Sequence, residues 1–164
     1  MSDPNNINNS IQGGEVESKG IEVSVIANPI TGLNLVAGFS NNHSEVTKDN
    51  PGDGYVGYRP EEAGPETLIN YWASYTVQTS VMKGFGVGFG GNTASEHKTL
   101  NRGETGTFTL PAYTVLNASI SYTGRRYSVI CKVNNLTNQR YYTGWSTVTP
   151  QNLKNVSLSL NYKF

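Results

Sequence analysis

Apolar residues in this chain recur at every second position, in short stretches set apart by polar ones. At the C-terminus, Val156, Leu158, Leu160, Tyr162 and Phe164 fall on one face, and Asn155, Ser157, Ser159, Asn161 and Lys163 on the other. A period of two is the strand period. A wholly polar face opposite an apolar one means that one side meets an apolar phase and the other meets water. Six earlier segments repeat the pattern. Glu15 to Ala27 alternates Ile21, Val23 and Val25, and Leu33 to Asn42 aligns Leu33, Leu35, Ala37 and Phe39. Leu68 to Val77 aligns Ile69, Tyr71, Ala73, Tyr75 and Val77, and Phe85 to Asn92 alternates Phe85, Val87 and Phe89 with glycines. Tyr113 to Tyr122 aligns Leu116, Ala118, Ile120 and Tyr122, and Tyr127 to Asn135 aligns Tyr127, Val129, Cys131 and Val133. Seven strands are expected.

The connections sort by length. Asn28 to Gly32, Ser80 to Gly84 and Thr123 to Arg126 are short. Between them lie long polar loops from about Val46 to Glu66, Glu96 to Thr109 and Asn138 to Asn152. Short turns at one end and long loops at the other mark outer-membrane barrels, with the short turns in the periplasm. A soluble sandwich has no reason to sort its loops so. The last strand then runs downward and ends at Phe164 on the periplasmic side. Phe85, Tyr122, Tyr127, Tyr162 and Phe164 would form the lower aromatic girdle.

Composition agrees. Only 36% of residues are hydrophobic and mean hydropathy is −0.42, below a usual soluble enzyme. Aromatics at 10% and charged residues at 15% argue against disorder. Asn, Ser, Thr and Gly supply the polarity, which suits lipid outside and water inside. Net charge is zero, from 12 basic and 12 acidic residues, so nucleic-acid binding has little support. Cys131 stands alone and reads as a small apolar strand residue. No apolar run reaches 18 residues, so no transmembrane helix is expected. Met1 to Ser10 is polar and Asn-rich, without the apolar region of a secretory signal.

Three motifs carry a resemblance. Lys154 to Phe164, Lys-Asn-Val-Ser-Leu-Ser-Leu-Asn-Tyr-Lys-Phe, resembles the last strand of TonB-dependent outer-membrane receptors of the ferric-siderophore type. Val133 to Tyr142, with Asn134-Asn135-Leu136-Thr137-Asn138 in it, resembles their penultimate strand and its exit. Glu17-Ser18-Lys19-Gly20-Ile21-Glu22 resembles an upstream strand opening. Leu153-Lys154 stands where many relatives carry Pro-Arg, and Pro150 lies earlier. The resemblance implies an all-β fold: an antiparallel up-and-down transmembrane β-barrel portion, about seven strands of about 22. Alone it would be an open curved sheet. It implies residues 13–164 as the C-terminal part of the barrel. Residues 1–12 would be a polar N-terminal segment, a truncation point or an extracellular loop. It implies a Gram-negative outer membrane, with membrane lipid and the outer-membrane assembly machinery as partners. The intact receptor would carry a ferric siderophore and contact TonB through an N-terminal region outside this chain. Neither a cofactor nor an enzymatic activity is implied. Leu158, Leu160, Tyr162 and Phe164 would be the assembly signal, or simply pack against lipid.

Among candidate sites, Gly86-Val87-Gly88-Phe89-Gly90-Gly91 fits a dinucleotide glycine pattern but continues a strand, so the glycines are expected to face the lumen and leave room for a plug or solvent. His43 and His97 lack neighbouring ligands at metal spacing and read as polar residues near extracellular strand ends. No catalytic constellation is visible, and Glu61 and Glu62 read as solvated. Tyr55, Tyr58 and Arg59 in the longest loop, and Tyr141, Tyr142 and Trp145 in the last, are ligand-binding candidates. Rings and a cation at a barrel mouth can grip an anionic, partly aromatic chelate, while the plainer reading is loop packing. A small self-contained outer-membrane barrel, serving as adhesin or anchor, and a soluble β-sandwich remain as alternatives.

Overall fold

The structure, a computed structural model, describes residues 2–3, 6–10, 14–49, 52–98, 106–145 and 147–164. Seven strands form one sheet: β1 Glu15–Ala27, β2 Leu33–Lys48, β3 Thr67–Thr76, β4 Phe85–Ala94, β5 Tyr113–Thr123, β6 Tyr127–Asn134 and β7 Asn155–Tyr162. Each pairs antiparallel with its neighbour in sequence, and β1 and β7 are the two edges. The sheet is therefore open, and the self-contained small barrel is not formed. Asn6–Ser10 is a strand, but it pairs with Ser2–Asp3 and adds no eighth strand to the main sheet.

Register decides the faces. The row Ala27–Leu35–Ala73–Phe89–Ala118–Val133–Val156 crosses all seven strands through direct cross-strand partners. The next row toward the short turns, Leu33–Tyr75–Val87–Ile120–Cys131–Leu158, is equally apolar and lies on the same face. Between them, pointing the other way, runs Asn34–Ser74–Gly88–Ser119–Lys132–Ser157. A slip of one residue anywhere would turn a greasy row into the polar face, so the alternation itself fixes the pairing. Among the described residues nothing covers the apolar face: Val156, Leu158 and Leu160 are 65%, 72% and 72% exposed, which removes the sandwich with its second sheet.

Turns 28–32, 77–84 and 124–126 close one end, and connections 49–66, 95–112 and 135–154 close the other. Two short turns use glycines held against the next strand end. Gly32 (φ 89°) accepts from Thr76 N–H at 2.9 Å, and Gly84 (φ 88°) from Thr123 N–H at 2.8 Å. A Cβ at either would strike the carbonyl oxygen of that same threonine.

One strand boundary differs from expectation by more than two residues. β2 runs to Lys48, six residues past Asn42, paired with β1 up to Glu15. In this overhang the outward positions become Asn41, His43 and Glu45, so the apolar alternation stops while the ladder continues. The lowest-energy arrangement for polar strand residues above lipid is still a paired one. Two further short ladders, His97–Lys98 with Thr109–Leu110 and Tyr142–Thr143 with Thr149–Pro150, stiffen the second and third long connections.

Candidate functional site

The polar face carries an indole ring at mid-strand. Trp72 lies over the glycines of β4: a Cβ on Gly88 would stand 2.5 Å from the indole Cζ2, and one on Gly90 2.7 Å from Cε3. Gly86, Gly88 and Gly90 do share the polar face, and Trp72 takes the room beside Gly88 and Gly90; Gly91, paired with Tyr71 and Leu116, lies on the apolar face instead. Lys132 Nζ sits 6.0 Å from the Trp72 ring centroid, at the outer reach of a cation–π contact.

The first long connection folds back on β2. Val46 N–H donates to the Tyr58 carbonyl at 2.9 Å, Gly57 N–H to the Val46 carbonyl at 3.0 Å, and Tyr55 N–H to the Asp49 carboxylate at 2.6 Å. Arg59 lies inside this loop. Its guanidinium donates to the carbonyls of Asn42 (2.6 Å), Gly64 (2.9 Å), Ala63 (3.3 Å) and Pro65 (3.4 Å). Four main-chain acceptors from one fork make Arg59 the brace that fixes the loop to β2. Tyr58 is exposed and Tyr55 half-buried. His43 stands exposed on the overhang between Glu45 (3.7 Å) and Glu66 (3.9 Å).

The third connection is organised by Asn135, which is 2% exposed and takes a left-handed backbone (φ 53°). Its amide nitrogen donates to the carbonyls of Gln139 (2.8 Å) and Asn152 (3.1 Å), and its side-chain oxygen accepts from Gln139 N–H at 2.8 Å. Asn138 (φ 57°) accepts from Lys154 N–H at 2.9 Å. The Asn134 to Asn138 stretch thus ties the exit of β6 to the start of β7.

These loops enclose a pocket of about 180 Å³ at the upper end of the polar face. The row Leu68–Ala94–Tyr113 places Leu68 and Tyr113 on that face, and both line it. Leu110, Tyr142, Trp145 and His97 also line it. Ala94, Leu110 and Val115 are the buried apolar residues among those described, so the small dry core lies at the mouth. His97 is 7% exposed, and its Nε2 has no hydrogen-bond partner among the described residues. Leaving such an atom unpaired costs about 1–3 kcal/mol, which a bound hydroxyl or amide would relieve. Burial, and then the Arg59 charge, push the imidazole below its ordinary value, so it is neutral near pH 7. Of the sequence candidates, Tyr142 and Trp145 reach the pocket; Tyr141 stacks on Tyr113 with centroids 4.5 Å apart, and Tyr55, Tyr58 and Arg59 are not in its lining. His97 was hidden in the sequence because its neighbours arrive from three separate connections.

At the opposite end, on the apolar face, Tyr122 and Tyr127 lie 5.8 Å apart and Tyr162 meets Phe164 edge-on at 5.2 Å.

Comparison with known proteins follows the same lines. The family model described as "TonB dependent receptor-like, beta-barrel" matches residues 1–136. The ferrichrome outer membrane transporter/phage receptor of Escherichia coli K12 is 29% identical over 147 residues, 86% of this chain and 19% of that protein. The ferrioxamine B receptor of Salmonella typhimurium LT2 is 27% identical over 141 residues, 83% of this chain and 19% of that protein. The ferripyoverdine receptor of the Pseudomonas aeruginosa outer membrane superposes with a TM-score of 0.77 at 18% identity, over 99% of this chain and 21% of that one. The chain spans about a fifth of the length of the curated relatives it matches.

Proposed function

The chain belongs to the TonB-dependent receptor β-barrel family, and on that premise we propose that it forms wall and mouth of an outer-membrane transporter for a ferric siderophore. The continuous apolar row across all seven strands, backed by a polar row, carries this reading: it is a wall between acyl chains and a watery lumen. The open edges need further strands, because unpaired backbone groups cannot face lipid. The matched relatives, named for ferrichrome and ferrioxamine B, support an iron chelate as cargo. The intact receptor would bind it outside the cell and move it inward through TonB coupling, without covalent chemistry.

The short turns and Phe164 lie on the periplasmic side in this reading, and the long loops lie outside. Leu158, Leu160, Tyr162 and Phe164 present the side that the assembly machinery reads. At the mouth, Tyr142 and Trp145 stack on part of the ligand and His97 takes a hydrogen bond from or to it. Tyr55, Tyr58 and Tyr141 contribute outer contacts, and Arg59 acts by holding its loop. The test is growth of an iron-starved strain lacking its own receptors, supplied with the full-length protein and with ferrichrome or ferrioxamine B as sole iron source. Growth that falls on Tyr142→Ala with Trp145→Ala supports the reading. Absence of uptake for every ferric siderophore tried sinks it.

A further inference from the structure

The charges of this chain are segregated along the strands. Among the described residues from Gly14 onward, every acidic side chain lies on β1 or β2 at or above the level of Glu22 or in the long connections; Glu22, the lowest, sits near the middle of β1 and pairs with Ser40. The opposite end carries Lys83, Arg125, Arg126 and Lys163 with no acidic side chain beside them. None of the four makes an ion pair among the described residues. Arg125 and Arg126 are exposed in the β5–β6 turn, and Lys163 N–H donates to the Arg126 carbonyl at 2.7 Å, which holds the end of β7 against that turn. Both arginines line a depression of about 790 Å³ shared with Tyr122, Tyr127 and Tyr162. Those rings belong to the apolar face, and directly above them on the same face stand Ile120, Val129 and Leu160.

A cationic lip, phenolic hydroxyls at the same depth and a greasy strip above describe the outline of a phosphate-bearing amphiphile. We propose that this foot of the sheet is a binding site for an anionic diacyl phospholipid of the periplasmic leaflet, its phosphate on Arg125 and Arg126 and its chains along Ile120, Val129 and Leu160. Guanidinium forks suit phosphate oxygens, and two cations on one depression without an acidic side chain beside them favour an anion there. The orientation comes from the functional reading above. With the sheet inverted, the same lip would meet the phosphates of lipopolysaccharide instead.

The test uses the full-length receptor, purified and stripped of lipid. Native mass spectrometry compares phosphatidylglycerol with phosphatidylcholine of the same chains, inorganic phosphate and lipid A. Phosphatidylglycerol is expected to bind in preference. Arg125→Gln with Arg126→Gln should weaken it by roughly 25-fold, the product of two contacts of about fivefold each. Arg140→Gln with Lys154→Gln, at the other end, should leave it unchanged. Phosphatidylglycerol binding that survives the Arg125/Arg126 change, or equal binding of phosphatidylcholine, overturns the site. Preference for lipid A, or phosphate binding as well as the lipid, overturns the assigned ligand. Siderophore uptake is read separately, so a receptor that transports but ignores phosphatidylglycerol fails here alone.

Discussion

Replacing Asn135 by Ala should release the third long connection. The side chain makes three hydrogen bonds, two donated to the Gln139 and Asn152 carbonyls and one accepted from Gln139 N–H. At about 1 kcal/mol net each they contribute about 3 kcal/mol. Asn tolerates the left-handed backbone at φ 53° better than Ala, which adds about 1 kcal/mol. A loss of about 4 kcal/mol raises the opening equilibrium roughly 1,000-fold, at about 1.4 kcal/mol per tenfold. Arg140 is exposed just beyond the knot and offers a tryptic site whose cleavage requires opening. Cleavage is followed in the intact receptor at low trypsin, where reclosing outruns cutting and the rate tracks the open population. Asn135→Gly keeps the backbone conformation and should cut about fivefold more slowly than Asn135→Ala. Cleavage of Asn135→Ala within threefold of the parent would refute the argument, since the loop would then be held by something other than this amide.

Other outcomes follow from the two faces. Gly88→Ala should destabilise the folded barrel by about 1–3 kcal/mol through Trp72 and Ser119, with partial rescue by Trp72→Ala, read from urea unfolding in lipid vesicles. Leu158→Lys, mid-strand on the apolar face, should cost about 2–4 kcal/mol, while Ser159→Lys on the polar face should cost little in the same assay. His97 sets a pH dependence. Its folded value is depressed below the ordinary one near 6.5, so the unfolded or opened form binds more protons in that window. The mouth should keep full stability above the ordinary value and lose it as pH falls toward the depressed one. Hydrogen-exchange protection at 95–98 and 109–113, corrected for the intrinsic pH dependence of exchange, should therefore fall as pH drops from about 7.5 to about 5.5, and His97→Gln should flatten the change.

All seven strands were legible because each had to present one face to an apolar phase, and that demand writes a period of two into the sequence. The signal failed where the demand ended. Above the apolar band β2 keeps its partners but changes its outward residues to Asn41, His43 and Glu45, so its last six residues fell outside the expected strand. Gly88 and Gly90 of β4 were readable as lumenal, but not the Trp72 indole beside them, because cross-strand contact depends on register. Loops hid most. Arg59 looks like a free cation in sequence and is spent on four carbonyls of its own neighbourhood. The imidazole at 97 becomes a pocket atom only when segments some 30 to 50 residues apart close around it.

The length of β2 has a consequence for what arrives from outside. Sixteen residues at about 3.3 Å each make a strand of about 53 Å, and a tilt of about 40° leaves about 40 Å of height. An apolar band of about 25 Å cannot contain that. In the proposed orientation the far end of the β1–β2 ladder would stand on the order of 10 Å proud of the bilayer as a stiff mast, with the Tyr55–Tyr58 turn bonded to it at Val46. A bulky visitor would touch that tip before it reached the recessed cavity below, and trimming the paired overhang would lower the first point of contact without disturbing the pore.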